Sequence, residues 1–342
     1  MNSSLSLDAL LHAASRLAAM GAWSDALSLL RERGDETRAH PALATLRAEA
    51  ELRTGHPREA HQWLTSALTV IERSGDRAAL RKARNQLGVA EIELGALDSA
   101  ERNFGRALEL ARVDGDDLLV AHATNNMGAI ANIRGRREEA LALYQLAIPA
   151  YQRFGNVAGL AQTLHNMAIS FRHLGQPDRA GEYEARAISY AIECSNAALL
   201  ALAWLERAEL FLQDGDPALA EVGAQRAAAH FTKVPDPIRE ADALRVVGAA
   251  RLGLGRLEEA ETTLERSLTL ARAHGSRLVE GETLRVRAAC FFRRGDLALA
   301  RRELATAIGI FDELGAEEQR NEALRWAHAA WGVGVAGGEN AP

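Results

Sequence analysis

Apolar residues recur three and four positions apart along most of this chain of 342 residues. One stretch places them at Leu87, Ala90 and Leu94 and, after a glycine, at Ala100 and Phe104. That spacing gathers apolar side chains on one face of a helix, whereas the sustained alternation that is typical of strands is absent from the sequence. The pattern therefore predicts a series of amphipathic helices, no strands, and an all-α protein.

Glycines interrupt this pattern at a constant interval, and we call them the turn glycines. Seven follow one another at steps of 40 residues, and Gly21 precedes the first by 34 residues. The seven are Gly55, Gly95, Gly135, Gly175, Gly215, Gly255 and Gly295. An alanine stands five residues after each turn glycine, and an alanine or glycine stands seven residues before it. Small side chains at these positions let the backbones of two helices approach closely.

A second series of turn residues lies half a unit away and repeats with the same period. It consists of Gly75, Gly115, Gly155, Ser195, Pro235, Gly275 and Gly315. Most of its members are followed by a residue that caps helices, namely Asp76, Asp116, Asn156, Asn196, Asp236 and Ser276. Such a pair predicts a left-handed residue that closes one helix and an N-cap that opens the next. Each unit is therefore predicted to be a hairpin of two helices joined by a short glycine turn.

The turns divide the chain into eight predicted hairpins and one further helix. The hairpins lie near residues 6–33, 41–73, 77–114, 117–154, 157–194, 197–233, 237–274 and 277–314. Residues 31–41 are predicted to be an irregular junction, and a helix over residues 316–331 is predicted to cap the last hairpin. We expect one solenoid domain over residues 1–332 and a flexible tail over residues 333–342. Pro149 falls inside a predicted helix and indicates either a kink or an early end of that helix.

This arrangement resembles the tetratricopeptide repeat, a helical hairpin with small residues and a glycine at these places. The best matches are NQLGVAEIELGALDSAERNFGRALEL from Asn85 and NNMGAIANIRGRREEALALYQLAI from Asn125. Phe104 and Tyr144 occupy the aromatic site of that family on the second helix, whereas Glu184 replaces it. The resemblance covers nearly the whole chain and implies a right-handed superhelical solenoid of about eight hairpins with a capping helix. The spacing of 40 residues is similar to that of bacterial peptide-sensing regulators and scaffolds such as kinesin light chain.

Composition and charge exclude several classes of protein. Lys and Arg number 40 and Asp and Glu number 46, so a formal charge of −6 gives no general attraction to nucleic acid or anionic lipid. No window approaches the length of an apolar membrane span, and Asp8 and Arg16 interrupt the apolar N-terminus, which does not resemble a signal peptide. Cys194 and Cys290 lack metal-ligand spacing and are expected to be reduced thiols of a cytoplasmic protein.

The first helices of stacked hairpins line a concave wall, which is the surface that repeat proteins use for binding. The candidate partner-binding residues on this wall are Asn85, Gln86, His122, Asn125, Asn126, Gln162, His165, Asn166 and Arg172. Amides both donate to and accept from the backbone of an extended peptide. In the family that the chain resembles, an asparagine at the site of Asn126 and Asn166 commonly does so. The alternative is that these amides bond only to neighbouring helices or to water.

Two arginines extend the candidate surface toward the carboxyl-terminal units. Arg245 and Arg285 occupy one groove position, 40 residues apart, and would bind an acidic segment of a partner. Asp242 and Glu282 stand three residues before them, where helix geometry allows ion pairs that neutralise this charge. An acidic segment of a partner would therefore compete with Asp242 and Glu282 for these two arginines.

No set of residues in the sequence points to a metal, a cofactor or catalysis. His122, His165 and His173 have no cysteine or clustered carboxylate to complete a metal site. Glu206 and Glu209 lie three residues apart on one predicted helix but lack a matching histidine or nucleophile. We therefore expect no cofactor and no enzymatic activity.

The sequence favours a non-catalytic adaptor that binds a peptide or a segment of another protein in its concave groove. The alternative is a peptide- or ligand-responsive regulatory sensor in which the ligand changes the pitch of the superhelix, as in the bacterial sensors that the chain resembles. Partners are expected to be proteins or peptides, not nucleic acid or membranes. Trp326 and Trp331 offer a further route to self-association through the last helix, although capping alone accounts for them.

Overall fold

The computed structural model describes residues 6–331, and over this range it holds eighteen α-helices and no strand. The first hairpin consists of α1 (Leu7–Ala19) and α2 (Trp23–Arg31), and it is followed by the short α3 (Gly34–Ala39). The other helices, in order, are α4 (Pro41–Arg53), α5 (Pro57–Ser74), α6 (Arg77–Glu93), α7 (Leu97–Asp114), α8 (Asp117–Ile133), α9 (Arg137–Arg153), α10 (Val157–His173), α11 (Pro177–Glu193), α12 (Ala197–Gln213), α13 (Pro217–Lys233), α14 (Pro237–Gly253), α15 (Leu257–His274), α16 (Arg277–Arg294), α17 (Leu297–Leu314) and α18 (Glu317–Trp331). The prediction of an all-α chain of repeated hairpins is confirmed. The predicted tail over residues 333–342 lies outside the described residues.

The turn glycines close the first helix of each hairpin in the left-handed conformation. At Gly95, with φ of 80°, the amide donates to the Ile92 carbonyl at 3.0 Å, and the next amide, of Ala96, donates to the Glu91 carbonyl at 2.8 Å. This pair of bonds satisfies carbonyls that a helix end leaves without partners. In the second series, Ser195 adopts the same conformation, with φ of 53°, although it carries a side chain. Ser195 therefore keeps the left-handed backbone without glycine, whereas Pro235, at the same place in the series, does not adopt it.

The predicted N-caps are present at five of the six positions in the second series. Asp76 accepts the amide of Ala79 at 2.9 Å, and Asp116, Asn156, Asn196 and Asp236 accept the corresponding amides of their helices. Ser276 caps α16 without a side-chain hydrogen bond, so the prediction for that residue is wrong in this detail. Each bond stabilises its helix start by roughly 1 kcal/mol and keeps the hairpins separate.

Close approach within each hairpin depends on the small residues seven positions before the turn glycines. A Cβ added to Gly88 would lie 2.6 Å from the ring of Phe104, and one added to Gly128 would lie 2.6 Å from the ring of Tyr144. Both rings are fully buried. Three hairpins carry glycine here, and in two of them it faces the aromatic ring of the resembled family, whereas in the third Gly248 faces Leu264.

Two elements differ from the sequence predictions. The junction over residues 31–41 is not irregular, because α3 forms there and packs on α4 and α5 with Thr37 fully buried. Tertiary contact stabilises this short helix, which has no amphipathic period of its own. Helix α9 continues through Pro149 to Arg153, so it does not end early.

The chain curves until its early turns lie against its last hairpins. A Cβ added to Gly55 would lie 2.5 Å from the ring of Pro237 at the start of α14. Gly95 lies against the side chain of Leu314, and Glu93 pairs with Arg239 across 2.9 Å. These partners are separated by more than 140 positions in the sequence. We call this set the closure contact, and no sequence pattern predicted it.

Helix α18 covers the apolar end of the last hairpin. Ala323 and Ala327 are fully buried in the cluster formed with α16 and α17. Trp326 and Trp331 pack edge to face against each other at 5.3 Å and against Phe292 at 5.6 and 5.8 Å. Both tryptophans are thus engaged inside the chain, which favours capping as their role.

Candidate functional site

The curvature encloses a space between the first helices of successive hairpins, which we call the inner cavity. It measures about 1330 Å³ and is lined by residues from α6 to α18. This volume exceeds the roughly 300–1,000 Å³ of typical small-molecule sites. The inner cavity is therefore of a size that suits a peptide segment.

The structure divides the predicted groove residues into two groups. Six line the inner cavity, namely Gln162, His165, Asn166, Arg172, Arg245 and Arg285. Five do not, namely Asn85, Gln86, His122, Asn125 and Asn126. The two groups come from different hairpins, since the second group lies on α6 and α8, whereas the first begins at α10.

Residues of the second group bond to neighbouring helices. Gln86 is buried and donates to the Thr45 carbonyl at 3.0 Å. Asn125 accepts the Thr163 hydroxyl at 3.0 Å, and the Nδ2 of Asn126 lies 3.4 Å from the Oδ1 of Asn85. His122 Nδ1 lies 3.1 Å from the hydroxyl of Tyr151 on α9. In the structure these polar groups join one helix to the next.

Two amides of the first group retain hydrogen-bonding capacity toward the inner cavity. Gln162 donates to the Oδ1 of Asn166 at 3.1 Å, four residues along α10. The Nδ2 of Asn166 makes a long contact of 3.5 Å with Asn125. No residue of the described chain bonds to the Oε1 of Gln162, so this acceptor is available to a ligand.

His165 forms a buried pair with the acidic residue that replaces an aromatic ring. Its Nδ1 lies 3.3 Å from both carboxylate oxygens of Glu184. Burial opposes protonation, but the Glu184 and Glu206 carboxylates outweigh it and raise the pKa of His165 above its ordinary value. Glu184 therefore forms a buried ion pair at the position where the repeat usually has an aromatic ring.

Ion pairs cross the inner cavity from hairpin to hairpin. Arg172 on α10 binds Glu206 on α12 at 2.6 Å, and Arg245 on α14 binds Glu209 on α12 at 2.6 Å. Burial alone would raise the pKa of Glu209, but Arg245 and Arg172 outweigh it and lower that pKa to about 2. These pairs tie three successive first helices together.

The arginines of the carboxyl-terminal units already have acidic partners. Arg245 binds Asp242, its neighbour on α14, at 2.8 Å, as helix spacing predicts. Glu282 reaches Arg245 at 3.2 Å instead of pairing with Arg285, which binds Glu322 at 3.1 Å. Within residues 6–331, seven arginines and seven Asp or Glu residues line the inner cavity. Neither arginine is thus a free site for an acidic partner.

Sequence reasoning missed several charged residues of the cavity wall, of which Arg137 is the most buried. Arg137 begins α9, lines the inner cavity and is 4% exposed. It stands two residues after a turn glycine, where the other hairpins have an apolar residue or proline. Those residues are Trp23, Pro57, Leu97, Pro177, Pro217, Leu257 and Leu297. A comparison of this position across the repeats would have identified Arg137 without a structure.

Three polar residues adjoin Arg137 on the wall. Arg137 donates from Nη1 to the Oδ1 of Asn132 on α8 at 2.7 Å. At the end of α10, the Nε2 of His173 lies 3.4 Å from the Nη2 of Arg172. Burial, with the charges of Arg172 and Arg137, lowers the pKa of His173 to about 2, so the ring is neutral at pH 7. Because arginine only donates, Nε2 is the acceptor and Nδ1 carries the proton.

No described residues form a group of three or more His, Cys, Asp and Glu side chains placed to hold a metal ion. The three histidines singled out in the sequence have protein partners instead. None of the helices between residues 6 and 331 combines the length and apolar character needed to cross a bilayer.

Residues 119–193 and 199–273 match the family model described as tetratricopeptide repeat. The chain is 26% identical over 250 residues to the regulatory protein AfsR of Streptomyces griseus, which covers 63% of this chain and 26% of that protein. The chain thus spans about a quarter of the length of this curated relative.

Two solved structures share the fold over most of their length. A Rap protein complexed with competence and sporulation factor superposes with a TM-score of 0.64 at 14% identity, over 94% of this chain and 96% of that one. The Rap conjugation gene regulator of plasmid pLS20, in complex with the Phr* peptide, has a TM-score of 0.64 at 15% identity, over 78% and 73%. The chain thus contains tetratricopeptide repeats over residues 119–193 and 199–273 and shares the fold of a tetratricopeptide-repeat solenoid.

Proposed function

We propose that this chain is a non-catalytic binding module that holds a peptide, or an extended segment of a partner protein, in its inner cavity. The observation that carries the proposal is a cavity of about 1330 Å³ whose wall is built mainly from the first helices of successive hairpins, with α9 and α18 adding to it. A site distributed over several repeats suits an elongated ligand, because each hairpin contributes one short stretch of wall.

The chemistry of the wall supports a peptide. Gln162 and Asn166 offer amide groups spaced along α10, and amides pair with both the donors and the acceptors of a peptide backbone. Apolar side chains such as Leu202, Val286 and Ile169 line the same wall. The two Rap structures are complexes with peptides or factors by their own descriptions, which supports the same class of ligand here.

The acidic residues of the cavity favour binding over catalysis. A general acid or base needs a proton that it can exchange with a substrate near the working pH. Glu209 is held ionised by Arg245 and Arg172. Burial raises the pKa of Glu206 to about 7, but both of its carboxylate oxygens already accept hydrogen bonds from Arg172, at 2.6 and 3.3 Å. The thiol of Cys290 is buried, which raises its pKa and disfavours a thiolate nucleophile. The wall therefore consists of groups that hold one another in place.

The closure contact favours a second candidate, a ligand-responsive sensor. Gly55 and Pro237 touch across the superhelix, so an occupant that widens the inner cavity would separate them. The contact is a local packing arrangement that a ligand could break without disturbing any single hairpin. The radius of gyration from small-angle X-ray scattering, measured with and without bound peptide, distinguishes the two candidates: a sensor changes its radius and an adaptor does not.

Selection from a phage library of random peptides tests the proposal directly. Peptides selected on the immobilised protein are synthesised, and their affinity is measured by calorimetry. Ala289 lines the inner cavity, so Ala289→Trp fills it, whereas Ala305→Trp adds the same bulk on the exposed face of α17. We expect at least a tenfold loss of affinity in the first variant and none in the second. Equal affinities in both variants would show that the peptides bind elsewhere.

We also propose the cytoplasm as the compartment, which the two thiols support. Cys194 and Cys290 are both free in the structure. Reduced thiols are the ordinary state of cysteine in that compartment.

A further inference from the structure

The guanidinium of Arg137 is buried without a charged partner. Its Nη1 donates to the neutral amide of Asn132, and its Nη2 is a buried nitrogen with no hydrogen-bond partner in the described chain. Glu318, the carboxylate whose charge acts most strongly on Arg137, instead pairs with Arg325 at 3.0 Å. A buried cation that lacks both a counter-ion and a full set of acceptors costs several kcal/mol unless something else satisfies it.

The repeat pattern shows that this cost is not imposed by the fold. Seven hairpins place tryptophan, leucine or proline at the same position, two residues after the turn glycine. Leu97, the equivalent residue one hairpin earlier, is buried in the apolar core. An apolar residue therefore fits the architecture of this position. Arginine here introduces a charge that the hairpin itself does not need.

Neighbouring polar residues turn the surroundings of Arg137 into a site for an anion. Asn132 and Arg172 stand three residues before their turn glycines, where the other 40-residue hairpins have leucine, isoleucine or phenylalanine. His173 is neutral and carries its proton on Nδ1, and no described residue accepts from that nitrogen. Three consecutive helices thus contribute donors to one stretch of the cavity wall.

We propose that Arg137, beside His173, binds a carboxylate of the ligand that occupies the inner cavity. The inference rests on the proposed peptide-binding function and adds to it the chemistry that the ligand must carry: either a free C-terminus or an Asp or Glu side chain. A carboxylate accepts two parallel hydrogen bonds from a guanidinium, which would engage the free Nη2.

The charge balance of the wall favours a carboxylate over a phosphate. Among the described residues, seven arginines are matched by seven acidic residues around the cavity. Glu209 lies on α12 in the same cavity lining, is held ionised, and would repel a doubly charged group more strongly than a singly charged one. Arg137 lacks one acidic partner, and a group with a single negative charge would supply it.

Nuclear magnetic resonance of the histidine ring provides the test. The Cε1–Hε1 signal of His173, assigned with His173→Gln, is followed while short probes are added to the full chain. The probes are acetyl-Gly-Ala-Ala with a free acid and as its amide, and acetyl-Ala-Asp-Ala-amide with its Asn counterpart. We expect the signal to shift with one or both acids and with neither neutral partner, because a negative charge arrives beside the ring. The pair that responds identifies the C-terminal or the side-chain source.

Matched variants assign the response to Arg137. Arg137→Leu restores the residue type of the other hairpins, so we expect an equal or higher melting temperature together with loss of the acid-specific shift. Arg136→Leu removes the neighbouring exposed arginine, which pairs with Glu139, and should leave the shift intact. A wild-type shift that is absent, equal for acids and amides, or retained in Arg137→Leu would overturn the carboxylate site. A lower melting temperature of Arg137→Leu would also overturn it, by showing that Arg137 stabilises the fold.

Failure of this proposal is distinguishable from failure of the proposed function. If library peptides bind, and Ala289→Trp blocks them, while acids and amides act alike on His173, the cavity binds peptides and the carboxylate site is wrong. If acids shift the His173 signal and no library peptide binds, the carboxylate site stands and peptide binding is wrong.

Discussion

Replacement of Gly55 by alanine tests whether the superhelix closes on itself. Gly55 has φ of 74°, and the new Cβ would lie 2.5 Å from the Cδ of Pro237 and 3.3 Å from its backbone nitrogen. The proline ring is rigid, so the overlap is relieved only if the turn and α14 move apart. Gly215 provides a matched control, because it is a turn glycine with φ of 77° and no neighbouring atom within 4 Å of an added Cβ.

The expected cost has two parts that the control separates. Alanine in the left-handed conformation costs about 1–2 kcal/mol at either position. Overpacking against Pro237 adds about 1–3 kcal/mol at Gly55 alone. We therefore expect Gly55→Ala to lose about 1–3 kcal/mol more in the free energy of unfolding than Gly215→Ala, measured by urea titration.

Small-angle X-ray scattering gives the second readout of this prediction. Gly55→Ala should increase the radius of gyration, because separation of α14 from the early turn opens the superhelix, whereas Gly215→Ala should retain the wild-type radius. Equal losses of stability in the two variants, with unchanged radii, would refute the closure contact as a feature of the molecule in solution.

Three further predictions concern the wall and the core. Asn166→Ala should lower the affinity of a selected peptide about tenfold, because roughly one hydrogen bond is lost. Asn85 lies outside the cavity lining, so Asn85→Ala should leave the affinity measured by calorimetry unchanged. Because the pKa of His165 is raised in the folded state, stability is fully present below its unfolded value near 6.5 and is lost as pH rises through the folded value. Urea titrations from about pH 6 to pH 9 should show this decline, and Glu184→Gln should flatten it. Gly128→Ala places a Cβ 2.6 Å from a buried tyrosine ring and should cost about 1–3 kcal/mol of unfolding free energy; a neutral effect would show that the hairpin packs loosely.

The hairpins could be predicted from sequence because their signals are local. A turn glycine such as Gly95 acts through its own backbone conformation, and Asp76 caps the helix that follows it within three residues. The pairing of Gly88 with Phe104 repeats within one unit, so a periodic pattern displays it. Each of these features lies within 20 residues of chain and therefore appears in a single sequence.

The closure contact could not be predicted, because it depends on the curvature accumulated over several hairpins. Small differences in the packing angle between successive hairpins add up and decide whether Gly55 contacts Pro237. No residue near either position marks the encounter. The same accumulation decides which first helices line the inner cavity, so Asn85 and Asn166, which look equivalent in the repeat, have different surroundings.

The candidate site was predictable in part. Asn166 and Arg172 were identified from their place on the first helices, and both line the inner cavity. Arg137 was missed because it belongs to a second helix, where the core is expected. Its signal was present as a departure from the tryptophan, leucine or proline that the seven other hairpins have at this position.

Photo-cross-linking of a selected peptide tests the central claim most directly. The peptide carries a benzoylphenylalanine at successive positions, and mass spectrometry locates each cross-linked residue on the full chain. The account predicts cross-links to the wall of the inner cavity on α10 to α16, such as Leu202 and Val286. Cross-links confined to the outer faces of the second helices, such as that of Leu146 on α9, would contradict it.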